Sequence, residues 1–130
     1  MVSGNLLDTN VIVKVLRGDP EAIGFLNSLG TDVFTSAVVI GELLYGANKS
    51  VKAEQNRQLV REKTESLEVL PIDIETAEVY GQIKDQLAKE GRNIPENDLW
   101  IAATAKKHGL ALVTLDSHFK YVSGLAVLGF

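Results

Sequence analysis

Asn5-Leu6-Leu7-Asp8-Thr9-Asn10 joins a short apolar run directly to a carboxylate. The run reads as a buried strand, and the residues that follow, 11–16, are apolar and helical in pattern. In an open parallel sheet, ligands gather in the crevice outside the carboxyl ends of the strands. An aspartate at that point therefore faces the functional edge of the sheet.

Working outward, Gly18-Asp19-Pro20 breaks the first helix and starts a second, with Asp19 as cap and Pro20 at the first helical position. Ile23, Phe25, Leu26 and Leu29 give that helix an apolar side. Gly30-Thr31-Asp32 is a turn before a second strand, Val33-Phe34-Thr35. Ser36 then caps a helical pattern over 37–48. Residues 51–66 are rich in Lys, Arg, Glu and Gln, as in a solvated outer helix or helix pair. A strand is expected at 67–70, ended by Pro71. An amphipathic helix follows over 74–89, with Ala77, Tyr80, Ile83, Lys84 and Leu87 at helical spacing and Gly91 as its left-handed cap. Pro95 opens a helix over 96–108 whose last turn is basic, as the helix dipole favours. Strands are expected at 110–115 and 125–128.

Strands alternating with helices predict an α/β fold: a three-layer α/β/α sandwich around a mainly parallel central sheet. The 130 residues read as one domain, 1–130, without linker or repeat. Hydrophobic residues at 45% and charged residues at 23% are ordinary for a folded domain and argue against disorder. With no cysteine, disulfides and thiolate metal sites are excluded, which fits an intracellular, cytoplasmic protein. Neither a secretory signal nor an apolar run of membrane-spanning length is visible, so no membrane role is expected. A net charge of −4 is the wrong sign, on average, for phosphate contacts. A cluster of metal-binding carboxylates would itself supply such acidity, and a bound cation would invert it locally.

Four acidic residues stand where an unpaired carboxylate is out of place. Glu42 has Val38, Val39, Tyr45 and Gly46 as its neighbours one helical turn away, and Asp98 has Ile94, Ile101 and Ala102. No Lys or Arg lies within one helical turn of either. Asp8 and Asp116 close two apolar runs. Singly, each has an ordinary explanation: a cap for Asp8, a turn for Asp116, an ion pair for Glu42 and Asp98. Together they would converge on one edge of a doubly wound sheet. A buried carboxylate is costly unless paired or bound to a metal, and four hard oxygen donors suit Mg²⁺ or Mn²⁺ rather than zinc.

Leu6-Leu7-Asp8-Thr9-Asn10, Gly41-Glu42-Leu43-Leu44-Tyr45-Gly46, Asn97-Asp98-Leu99-Trp100-Ile101-Ala102-Ala103 and Val113-Thr114-Leu115-Asp116-Ser117-His118-Phe119 resemble, in order and spacing, the PIN-domain ribonucleases. Within that family the chain is most similar to the VapC-type toxins of prokaryotic toxin–antitoxin pairs. The resemblance implies a Mg²⁺- or Mn²⁺-dependent endoribonuclease acting on RNA. Asp8, Glu42 and Asp98 would hold the principal metal, and Asp116 would act through water or with a second ion. Asn10 and Thr114 match polar positions that support such a site by hydrogen bonds. The family implies a homodimer, and a small antitoxin as partner. In-line attack by a water activated on the metal is the chemistry expected of such a site.

Other readings are weighed against this one. An aspartyl-phosphate domain using Asp8 would want a second Asp two residues on, where Asn10 stands, or the acidic pair and late Lys of a receiver. A catalytically silent interaction domain of the same fold is the non-enzymatic alternative. His108 and His118, at a helix end and in a loop, read as surface residues, and no Ser–His–Asp arrangement is evident. Tyr45 and Trp100 read as core, as do Leu43 and Leu44. Lys14, Arg17, Lys49 and Lys52 either guide RNA or form an ordinary solvated face.

Overall fold

The computed structural model describes residues 4–30 and 32–130. Five parallel strands stand in the order β3-β2-β1-β4-β5: β1 Asn5–Leu7, β2 Val33–Ser36, β3 Glu68–Leu70, β4 Ala111–Val113 and β5 Val127–Leu128. The helices are α1 Thr9–Leu16, α2 Pro20–Ser28, α3 Ala37–Asn48, α4 Ala53–Thr64, α5 Ile74–Lys89 and α6 Glu96–Lys107, with a 3₁₀ turn at Ser117–Tyr121. Leu6 pairs with Phe34 on one side and with Leu112 on the other, so β1 is central.

The chain steps from β1 to β2 to β3 in one direction, then returns across the sheet to β4. Right-handed crossovers in opposite directions put their helices on opposite faces. Helix α1 accordingly packs with α2, α3 and α4, while α5 packs on α6. Covered on both sides, the sheet buries consecutive residues instead of alternate ones: Leu6, Leu7, Ala111, Leu112 and Val113 are all inside. This is the expected α/β/α sandwich, with every strand pair parallel.

The helix punctuation follows local chemistry. Asp19 accepts from the Ala22 amide at 3.1 Å, and the Ser36 hydroxyl accepts from Val38 and Val39 at 3.1 and 3.2 Å. Gly91, at φ +69°, ends α5 by letting the Arg92 amide reach the Leu87 carbonyl at 2.9 Å. The charged stretch 51–66 holds one helix, α4, which still buries Val60 and Thr64.

Several expectations need correcting. The strands are shorter than 110–115 and 125–128: β4 spans Ala111–Val113, only two residues of β5 pair with it, and the Thr114 amide makes the last bond across, to Leu128 at 3.0 Å. On α2 only Ala22 is fully buried, and Ile23, Phe25, Leu26 and Leu29 are half-buried. Ala77 on α5 is exposed, and Thr76 and Ile83 fill the inward face. Tyr45 is 66% exposed and not core, since α3 turns that side to solvent. Trp100 is half-buried, stacked on Tyr80 with ring centroids 3.9 Å apart and planes 7° from parallel. The turn expected at Gly30-Thr31-Asp32 includes Thr31, which lies outside the described residues. Among the described residues no helix is long and apolar enough to cross a membrane.

Candidate metal centre

Strand order places the site. The chain leaves β1 toward β2, while β4 lies on the other flank of β1, and the crevice at their carboxyl ends is the usual ligand position of an open α/β sheet. Asp8 follows β1 there, and Thr114 and Asp116 follow β4. A cleft of about 520 Å³ opens at this edge, lined by Asp8, Asn10, Glu42, Asp98 and Asp116 among others. Residues from two strand ends, α3 and α6 are thus brought together from positions up to 108 apart in sequence.

Asp8 is 2% exposed. One carboxylate oxygen accepts from the Thr9 amide at 2.8 Å, and the other accepts from the Thr114 hydroxyl at 2.7 Å. Its own amide donates to the Val113 carbonyl at 2.9 Å, tying β1 to β4 immediately below the cleft. Burial pushes the Asp8 carboxyl above the ordinary carboxylate range, the two hydrogen bonds oppose this, and the Asp116 and Glu42 charges reinforce it. Thr114 also accepts from the Asp116 amide at 3.0 Å, and Asn10 accepts from the Leu115 amide at 3.2 Å. Both residues therefore brace the loop that carries Asp116.

Glu42 reaches in from α3. Its Oε2 accepts from the Thr9 hydroxyl at 3.1 Å, whereas Oε1 is buried without a hydrogen-bond partner. Asp98 projects from the first turn of α6, a turn fixed against α5 by the Tyr80–Trp100 stack and the Lys84–Glu96 ion pair at 2.5 Å. Its side chain is 14% exposed. Burial foremost, then the Asp8 charge, raises the Asp98 carboxyl to about 6; the Glu42 and Asp116 charges add to this and His118 opposes it.

His118 is the departure from expectation. It reads from sequence as a surface loop residue, yet its Nε2 lies 3.0 Å from Asp98 Oδ2. The 3₁₀ turn places it there, because the next residue, Phe119, is wholly buried and anchors the turn in the core. The reading of His118 as a surface loop residue is therefore corrected. Thr9 is a further residue without a sequence signal, since its bond to Glu42 joins helices that meet only in the fold. The buried Phe119 beside His118 was the one available hint.

Among the described residues, no Lys or Arg lies within ion-pair distance of Asp8, Glu42, Asp98 or Asp116. The cleft thus gathers four carboxylates, one with an orphaned buried oxygen and none ion-paired to a Lys or Arg. That donor set fits a hard divalent ion.

The PIN domain signature matches residues 6–125. The chain belongs to the PIN-domain family. It is 36% identical over 110 residues to ribonuclease VapC2 of Haemophilus influenzae, covering 84% of this chain and 83% of that one. Toxin FitB of Neisseria gonorrhoeae is 34% identical over 131 residues, covering 94% of each. In three dimensions this PIN domain is similar to the VapBC2 structure from Rickettsia felis bound to a promoter DNA fragment. The TM-score there is 0.93 at 28% identity, covering 98% of this chain and 99% of the other.

Proposed function

We propose that this PIN domain is a Mg²⁺- or Mn²⁺-dependent endoribonuclease, the toxin of a toxin–antitoxin pair. The observation that carries this is the convergence of Asp8, Glu42, Asp98 and Asp116 on one cleft, none of them in an ion pair with a Lys or Arg among the described residues. The names of the relatives, a ribonuclease and a toxin, support the same reading. A small antitoxin as partner and assembly as a homodimer belong to it, supported by the likeness to VapC toxins.

In this reading Asp8, Glu42 and Asp98 would hold the principal ion, and Asp116 would act through water or with a second ion. When bound, the ion acidifies water and neutralises charge building on the phosphoryl oxygens. Asp8 is fixed for its task by the Thr114 and Thr9 donors. Glu42 keeps Oε2 engaged by Thr9, which leaves Oε1 as the free donor atom. Asn10 and Thr114 hold the 114–116 loop so that Asp116 stands at the cleft.

RNA is a polyanion, and an acidic cleft needs cations at its rim to receive it. Lys14 in the last turn of α1 and Arg17 at its C-cap are exposed and line this same cleft. They take the role of phosphate guides, fixing the strand without reading its bases. Lys49 borders the adjoining cavity between α1, α3 and α4, which Arg17 and Glu42 also line. Incubation of wild type and Asp98→Asn with a mixed tRNA and rRNA pool, with and without Mg²⁺ or Mn²⁺, tests the reading. Discrete cleavage by wild type, abolished by EDTA and by a folded Asp98→Asn, is the expected result. Metal-independent cleavage, or cleavage surviving in Asp98→Asn, would refute it.

A further inference from the structure

We propose that His118 is a ligand of the metal centre, its Nε2 joining the Asp98 and Asp116 carboxylates in a mixed nitrogen–oxygen position beside Asp8 and Glu42. The proposal rests on the metal-dependent reading above and deepens it, by adding a ligand and a preference among cations.

Among the described residues, the one set of three potential ligand atoms lying within 4.8 Å of one another is Asp98, Asp116 and His118. Asp8, Glu42 and Asp98 do not close to that distance as a trio. The position nearest to a preformed cation site is thus the one that includes the imidazole.

The contact between His118 and Asp98 has the spacing of two ligands on one cation. Nε2 is buried and 3.0 Å from Asp98 Oδ2, yet the atom makes no hydrogen bond. A cation placed between the two atoms would give each of them a bond. The spacing agrees: adjacent ligands at about 2.1 Å in an octahedral shell are separated by about 3.0 Å.

The ring is held for this role by packing. Phe119 is fully buried and its ring centroid lies 4.6 Å from that of His118, so the turn that carries His118 is anchored in the core. Imidazole is a softer donor than carboxylate and suits Mn²⁺ better than Mg²⁺. The expected consequence is a centre that prefers Mn²⁺ because of His118.

Mn²⁺ itself is the probe. Pulsed electron paramagnetic resonance of the Mn²⁺-loaded full chain reports a directly bonded imidazole nitrogen through its hyperfine coupling, without reference to activity. The only other histidine, His108, caps the far end of α6, about 15 Å along the helix from Asp98. Nitrogen coupling is expected in wild type and in His108→Gln, and not in His118→Gln. The ratio of Mn²⁺ to Mg²⁺ affinity should also fall on the order of tenfold in His118→Gln. Should His118→Gln fail to fold, the coupling in wild type and in His108→Gln still decides. Mn²⁺ bound to wild type and lost in Asp98→Asn, but without nitrogen coupling, overturns the proposal and leaves the metal-dependent reading intact. Absence of any Mn²⁺ binding by wild type overturns both.

Discussion

The Thr114 hydroxyl donates to Asp8 Oδ2 at 2.7 Å across a sequence separation of 106 residues, and its oxygen accepts from the Asp116 amide at 3.0 Å. One buried hydroxyl thereby fixes the carboxylate at the end of β1 and the loop that leaves β4. Thr114→Val keeps the shape and removes both bonds, leaving a buried carboxylate oxygen short of a donor. The expected cost is about 1–3 kcal/mol of stability, read by denaturant unfolding, together with weaker Mn²⁺ binding. Thr114→Ser should recover most of both.

Glu42→Gln is expected to separate stability from activity. Glu42 carries a buried oxygen with no partner, and its charge adds to the cost of ionising Asp8 and Asp98. Removing that charge should raise the melting temperature in EDTA while abolishing cleavage and shrinking the stabilisation that Mg²⁺ confers by binding the native state. A lower melting temperature in EDTA would show that the Thr9–Glu42 bond outweighs the repulsion.

Stability without metal should depend on pH through Asp98 and Asp8. Burial raises both carboxyls, Asp98 to about 6 from an ordinary value of 3.8. A raised acid binds more protons in the native than in the unfolded state, so its contribution to stability falls as pH rises through the window from about 4 to 6 and is flat above it. Asp73, held low chiefly by the Thr76 amide and hydroxyl, works in the opposite sense at more acidic pH. Comparing chemical denaturation of wild type and Asp98→Asn in EDTA across pH 4–7 isolates the effect: the difference in stability in favour of the mutant should grow from about pH 4 to about pH 6 and then level off. Metal affinity should run the other way, weakening below about pH 6 as protons compete for the same oxygens.

Lys14→Ala with Arg17→Ala should weaken RNA binding without loss of metal affinity. Each phosphate contact removed should lower the slope of log K against log salt by about 1. Binding to a catalytically inactive Asp98→Asn background, measured across salt concentrations, reads this directly. An unchanged slope would return these residues to an ordinary solvated face.

Much of this molecule is set by local pattern. The helices, their caps at Asp19, Ser36 and Gly91, and the buried strand ahead of Asp8 follow from neighbours within one turn or two residues, where periodicity and turn chemistry act. The misplaced carboxylates Glu42 and Asp98 are legible for the same reason, since each interrupts an apolar helical stripe. The parallel sheet follows from alternating strands and helices, because such connections leave little choice of topology. What local pattern does not contain is which loop returns to which helix. That His118 meets Asp98, that Thr9 reaches Glu42, and that Lys14 and Arg17 share a cleft with the carboxylates depend on β4 lying beside β1 and on α6 crossing near α3. Tyr45 turned outward for a related reason: a helix stripe defines an apolar side, but only the neighbouring elements determine how much of it is covered.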